Sequence, residues 1–219
     1  KPIQLISPVD GSVYAERLPL PQDAAIAAAK RAKAAQKAWA ARSLEDRIAL
    51  VKAGVAKLNE MKDRVVEELA WQMGRPTRFG GEFGGVNART DYMSEIAAEV
   101  LAPKIVEDSD KFRRYLAREA LGVVFIVAPW NYPYLTTINT LIPALIAGNT
   151  VVLKAASQTM LVGDFSCFMP AGTVPARAAV SSLSRFSTAV SALATKARCV
   201  PRWRPRSREP GSPDRTTRR

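Results

Sequence analysis

Two short apolar runs, Val123 to Val127 and Thr150 to Leu153, stand out against a chain whose other apolar residues mostly follow helical spacing. The first run has four β-branched residues and one Phe, and the second is again β-branched. Unbroken runs of this kind suit parallel strands covered on both faces. Between them, Tyr134 to Ala147 carries apolar residues at a near-helical period. Gly148 and Asn149 tolerate the left-handed conformation that closes a helix, so they mark its end. Pro143 removes one backbone donor inside this segment and predicts a kink. The pattern is strand, turn, helix, strand: a βαβ unit whose right-handed crossover makes the strands parallel near neighbours.

Upstream, Ile3 to Tyr14 reads as an extended entry arm with a turn at Pro8-Val9-Asp10-Gly11. Asp23 is placed to cap an Ala-rich helix that runs to about Ala40. Ser43, with Asp46 three residues on, starts a second helix that breaks near Asn59 and resumes to Gln72. Gly74-Arg75-Pro76 stops it. The pairs Gly80-Gly81 and Gly84-Gly85 read as a structural loop, since they do not form the GxGxxG fingerprint. From about Gly85 to Leu101 the pattern is again an amphipathic helix. Lys111 to Glu119 alternates charge with Phe112, Tyr115 and Leu116.

In open α/β sheets, ligands bind just beyond the carboxyl ends of strands. Pro129-Trp130-Asn131 follows the first strand, and Lys154 emerges at the end of the second. Asn131 and Lys154 are therefore expected on the same side of the unit. Read from the residues alone, each has a plainer alternative. Trp130 can be core, Asn131 can cap the following helix, and Lys154 can be a solvated strand end.

The segments APWNYP, PALIAGNTVVLK and the QT a few residues later closely resemble the aldehyde dehydrogenase superfamily. ISPVDGSVY, AAQKAW within the Ala-rich helix, and ELAWQMGRP resemble the same family's N-terminal region. The resemblance covers residues 3 to about 163. It implies a fold of class α/β: an N-terminal helical segment over 1–120 with strands used in oligomer contacts, then the start of a Rossmann-like NAD(P)-binding domain over 121–163. By the same resemblance, Asn131 donates its side-chain amide to the oxyanion of a thiohemiacetal, and Lys154 bonds the adenosine ribose of NAD or NADP. Val127, Ala128, Pro129 and Trp130 match positions lining the cofactor cleft. The family often has a ribose-binding Glu where Ser157 stands. Loss of that carboxylate removes a charge that would repel a 2′-phosphate, so NADP is tolerated as well as NAD. Ala155 and Met160 stand where Pro is common.

The full family reaction is NAD(P)-dependent oxidation of an aldehyde to a carboxylic acid by a homo-oligomer. It needs a Cys thiolate and a Glu that activates water. The family's motifs for these, ELGG and GQxC, do not occur in the 219 residues. Cys167 in DFSCFMP and Cys199 in KARCVPRW do not resemble the nucleophile's context. The expectation is a truncated chain, inactive alone. Its two parallel strands would keep unpaired edges and bare apolar surface, so it is also expected to be aggregation-prone.

Charge changes the picture at about Gly163. Residues 164–219 hold eleven basic and three acidic residues, a net +8 of the total +12. The tail is rich in Arg, Pro and Ser, holds one Lys, and shows no lasting helical or strand period, so it is expected to be disordered. Arg, Ala, Pro and Ser rising together while Lys vanishes is what out-of-frame reading of GC-rich DNA produces, so a frameshift near codons 163–164 is the expectation. The alternative is a non-catalytic binding or regulatory protein whose basic tail meets nucleic acid or an acidic membrane surface.

The remaining composition, 47% hydrophobic and 24% charged, is that of a globular protein. There is no run of eighteen apolar residues and no recognisable signal peptide. The chain starts at Lys1 without Met, so its true start is expected upstream. Two Cys in unrelated contexts suggest no disulfide framework and fit a reducing cytoplasm. With no His, His triads and His metal sites are excluded; carboxylate or Cys clusters with metal spacing are absent too. No specific nucleic-acid or membrane partner is expected.

Overall fold

The computed structural model describes residues 1–167, so the expectations for the tail from 168 to 219 lie outside the described residues. Two compact units are distinguished. Described residues 1–100 and those from 119 onward form the first, and 101–118 belong to the second.

The first unit opens with an antiparallel hairpin, β1 (Ile3–Ile6) and β2 (Val13–Arg17), where the sequence suggested an extended arm with a turn at Pro8 to Gly11. Gly11 takes φ +76° in the turn, and Asp10 Oδ1 accepts from the Ser12 amide at 2.9 Å. Three helices follow: α1 (Gln22–Ala40), α2 (Leu44–Asn59) and α3 (Lys62–Met73). Ser43 caps α2 as its spacing predicts, its Oγ accepting from the Asp46 amide at 3.1 Å. Asp23 does not cap α1. The cap position is Pro21, and Asp23 sits in the first turn, where its charge still complements the helix dipole. Gly74 ends α3 at φ +74°. After a 3₁₀ turn at Thr77–Phe79 comes α4 (Phe83–Leu101). Gly84 and Gly85, expected in a loop, form its first turn.

The βαβ unit consists of β5 (Val123–Val127), α5 (Pro133–Ile146) and β6 (Thr150–Lys154). The strands are parallel and in direct register, Val123 opposite Thr150 through Val127 opposite Lys154. Helix α1 packs on one sheet face, its Ala28 and Ala32 against Val152, flanked by Val123 and Phe125. Alternation leaves Val124, Ile126, Val151 and Leu153 for the opposite face, and α5 packs on both strands. Val151, Val152 and Leu153 are buried and Val123, Val124 and Phe125 half-buried, so the helices cover more of the sheet than its short length suggested.

Helix α5 is fastened at its carboxyl end by three side chains from far upstream. Trp39 Nε1 donates to the Leu145 carbonyl at 2.9 Å, Arg47 Nε to Ile146 at 2.8 Å, and Gln36 Nε2 to Gly148 at 3.1 Å. They add donor partners at the end of α5 and just past it, where helix carbonyls run short of amides. Pro143 stands exposed within α5, which continues to Ile146. Gly148 takes φ +88° as the stop requires. Asn149 then locks the corner: Oδ1 accepts from the Gly122 amide at 2.9 Å and Nδ2 donates to the Ala144 carbonyl at 3.1 Å.

The second unit is an antiparallel hairpin, β3 (Lys104–Asp108) with β4 (Arg113–Leu116). The charge alternation read from Lys111 onward is β4, whose Arg113 and Arg114 pair with Asp108 and Glu107. The partner strand β3 was not legible.

Candidate functional site

The carboxyl ends of β5 and β6 coincide. Val127 is opposite Lys154, and the ladder extends one step further as the Ala128 amide donates to the Lys154 carbonyl at 2.8 Å. The chain then leaves the sheet through Pro129, Trp130 and Asn131 and enters α5 at Pro133. Val127 is 58% and Trp130 49% exposed, so two large apolar groups stand outside the core at one sheet end. Ala128 has its side chain buried and offers only backbone there. Pro129 is half-buried and Asn131 exposed. Lys154 is half-buried; its Nζ donates to the Ala155 carbonyl at 3.2 Å, one of an ammonium's three donors. Ser157 is exposed and opens the 3₁₀ segment Ser157–Cys167. Register thus brings Val127, Ala128 and Lys154 together directly, and the turn carries Pro129, Trp130 and Asn131 from the same strand end.

Asn131 Oδ1 accepts from the Tyr132 amide at 3.1 Å. Only the oxygen can accept that proton, so the side chain's NH₂ group is the end left over to donate. Asn131 does not cap α5. The cap position is Tyr132, which supplies no side-chain bond, and the capping group comes from Glu82. Glu82 Oε2 accepts from the Tyr134 amide at 2.9 Å and from Leu135 at 2.8 Å, the donors a helix start leaves free. Its other oxygen, Oε1, is 2.5 Å from Arg75 Nη1. The Glu82 side chain is 1% exposed and that of Arg75 10%.

Arg75 also reaches the turn itself. Its Nη2 donates to the Asn131 carbonyl, and its guanidinium lies 4.8 Å from the centre of the Tyr132 ring. At Gly85 the first turn of α4 approaches α5 closely, since a Cβ there would come within 2.8 Å of Leu135 Cδ1. Sequence reading passed over both charged residues, taking Arg75 as part of a helix stop. One signal was available: α5 begins at Pro133 with no Ser, Thr, Asp or Asn at its cap, so its amides need a distant acceptor. Among the described residues no group of three His, Cys, Asp or Glu could hold a metal ion.

Strand, helix and parallel strand make a βαβ unit of the α/β class, with polar residues at the shared carboxyl end where such sheets bind ligands. The family model described as "Aldehyde dehydrogenase family" matches residues 1–193, and the chain belongs to that family. The match extends beyond Gly163, where the sequence motifs end. The chain is 31% identical over 188 residues to vanillin dehydrogenase of Corynebacterium glutamicum, covering 78% of this chain and 34% of that protein. It thus spans about a third of that relative's length. Among solved structures it is similar to an NAD-dependent benzaldehyde dehydrogenase from C. glutamicum (TM-score 0.71, 29% identity, 79% of this chain and 39% of the other). Succinic semialdehyde dehydrogenase from Streptococcus pyogenes, in complex with NADP+, gives TM-score 0.76 at 25% identity, over 86% and 42%. The fold is accordingly α/β with a Rossmann-like parallel pair.

Proposed function

We propose that residues 121–163 form the start of the NAD(P)-binding domain of an aldehyde dehydrogenase, with residues 1–120 as its N-terminal helical segment. In the assembled enzyme this segment serves the oxidation of an aldehyde to a carboxylic acid. The observation that carries the reading is the register of Val127 with Lys154, which puts the Trp130-Asn131 turn and the lysine at one sheet end. The exposed Val127 and Trp130 side chains fit a flat, partly apolar ligand, and the Lys154 ammonium fits its hydroxyl groups. Residues Val127 to Trp130, Lys154 and Ser157 hold the cofactor. NAD or NADP, when bound, supplies the hydride acceptor. Ser157 brings no charge against a 2′-phosphate, so both cofactors are admitted.

In this reading Asn131 is the catalytic residue of the segment, its amide N–H meeting the substrate oxygen as negative charge develops there. The nucleophile and the water-activating carboxylate are outside the motifs present, so the 219-residue chain is inactive alone. We assign the composition change after Gly163 to a frameshift; the family match to residue 193 limits how abrupt that break is. Reading the coding DNA one base out of phase after codon 163 tests it, the expected result being the family's ELGG and GQxC motifs. The intact protein is a homo-oligomer of the cytoplasm with no specific nucleic-acid partner and no membrane partner. Among the described residues no helix is long and apolar enough to cross a membrane.

Calorimetric titration with NAD+ and NADP+ tests the site. The expected affinity is weak, ~1 mM or poorer, lost in Lys154→Met, with no absorbance change on adding short aldehydes. Micromolar binding indifferent to Lys154→Met, or turnover by the chain, overturns the reading.

A further inference from the structure

The turn that carries Asn131 is held from outside by a buried ion pair, and that pair has a second task at the same place. Arg75 splits its guanidinium between the Glu82 carboxylate and the Asn131 carbonyl, and covers the Tyr132 ring. Glu82 spends its other oxygen on the Tyr134 and Leu135 amides. The peptide on each side of the turn is therefore bonded to one rigid unit: Asn131 through Arg75, and the start of α5 through Glu82. Between them stands the single bond from the Tyr132 amide to Asn131 Oδ1, which decides where the asparagine's N–H groups face. A guanidinium is planar and carries several donors in fixed directions, so it can serve two acceptors at once, whereas an ammonium cannot reproduce that fork.

We infer that Arg75 and Glu82 are positioning residues for Asn131, a tie through which the helical segment sets the orientation of the side-chain amide. The inference rests on the role given to Asn131 above. It adds that this orientation is imposed by two residues about fifty positions upstream, and that arginine at 75 is required for it beyond its charge.

The test uses the 219-residue chain labelled uniformly with 15N, so that asparagine side chains and backbone amides are both read. Five asparagines give five NH₂ signals, and Asn131→Gln identifies the one that matters. Arg75→Lys keeps a cation beside Glu82 and removes the second arm. The expected result is a loosened turn on an intact helix. The two Asn131 proton shifts converge, and the Tyr132 amide exchanges about tenfold faster or more. Tyr134 and Leu135 keep their protection, and the Asn149 signal does not move. Glu82→Gln, which keeps an oxygen for α5 but no charge for Arg75, shows the same ordering of effects and serves if Arg75→Lys fails to fold. The inference is overturned if Tyr132 and Asn131 are unchanged, or if they change only in step with Tyr134 and Leu135, since the pair is then a general support. None of these signals depends on turnover. An undisturbed turn refutes the tie and leaves Asn131 its role, while full activity of Asn131→Ala in the assembled enzyme refutes the role and leaves the tie.

Discussion

Asn131 and Asn149 bracket α5 and use the same side chain in opposite ways. Asn149 is 5% exposed, and both ends of its amide are bonded to backbone, to Gly122 on one side and Ala144 on the other. Asn149→Ala leaves both groups without their partner inside the fold. The expected loss is about 2–3 kcal/mol, read by urea unfolding of the chain followed by circular dichroism. Asn131 is exposed, and among the described residues its side chain bonds the neighbouring Tyr132 amide through the oxygen alone, so removing it has little to break. In an assembled enzyme that contains the nucleophile, Asn131→Ala should lower turnover by ~10²–10³, the range for one lost oxyanion donor, with stability nearly unchanged. An unaltered rate would return Asn131 to a local turn residue.

Among the elements, α5 depends most on the rest of the chain. One partner at its far end, Arg47, donates to Ile146 and also to the carbonyls of Ala40 and Arg42, joining the end of α1 to the end of α5. Burial pushes this guanidinium's pKa below its ordinary value, the mark of a charge kept where water is scarce. Arg47→Met keeps the stem and removes the donors, so it should cost about 1.5–3 kcal/mol in thermal or urea unfolding. A change under half a kcal/mol would mean that water replaces the guanidinium freely. The elements were legible wherever a local pattern made them: Ser43 with Asp46, Gly74, Gly148-Asn149, and the two apolar strands. What was missed lies at long range. Glu82 caps a helix that starts 51 residues later, so no local window around Pro133 contains the cap. The hairpin formed by β1 and β2 and the strand β3 were missed because their pairing partners, rather than their own periods, define them. At the site, the strand ends and the turn could be read, but the Arg75–Glu82 tie could not, because neither residue is near Asn131 in sequence.

For the whole molecule, the described sheet has two strands, each paired on one edge. Helices cover its faces, which removes part of the bare surface expected from the sequence, while among the described residues no further strand pairs with either outer edge. The 219-residue chain should therefore self-associate as concentration rises, visible as a growing mass in light scattering coupled to size exclusion. A sharp monomer peak at tens of micromolar would show the edges to be protected.

The fastening of α5 also sets an order of events. Its last carbonyls are completed by residues 99 to 112 positions earlier in the chain. During synthesis those residues leave the ribosome long before their acceptors exist. Contacts of such separation form late and slow the search for the native state. The element that must wait is α1, and ten of its nineteen residues are alanine. Alanine has the highest intrinsic helix propensity, so α1 can hold nascent helical structure with nothing to lean on. The same small side chains later present a low-relief surface that lets Ala28 and Ala32 settle against the sheet. A composition that looks featureless thus suits a helix that is made first and used last.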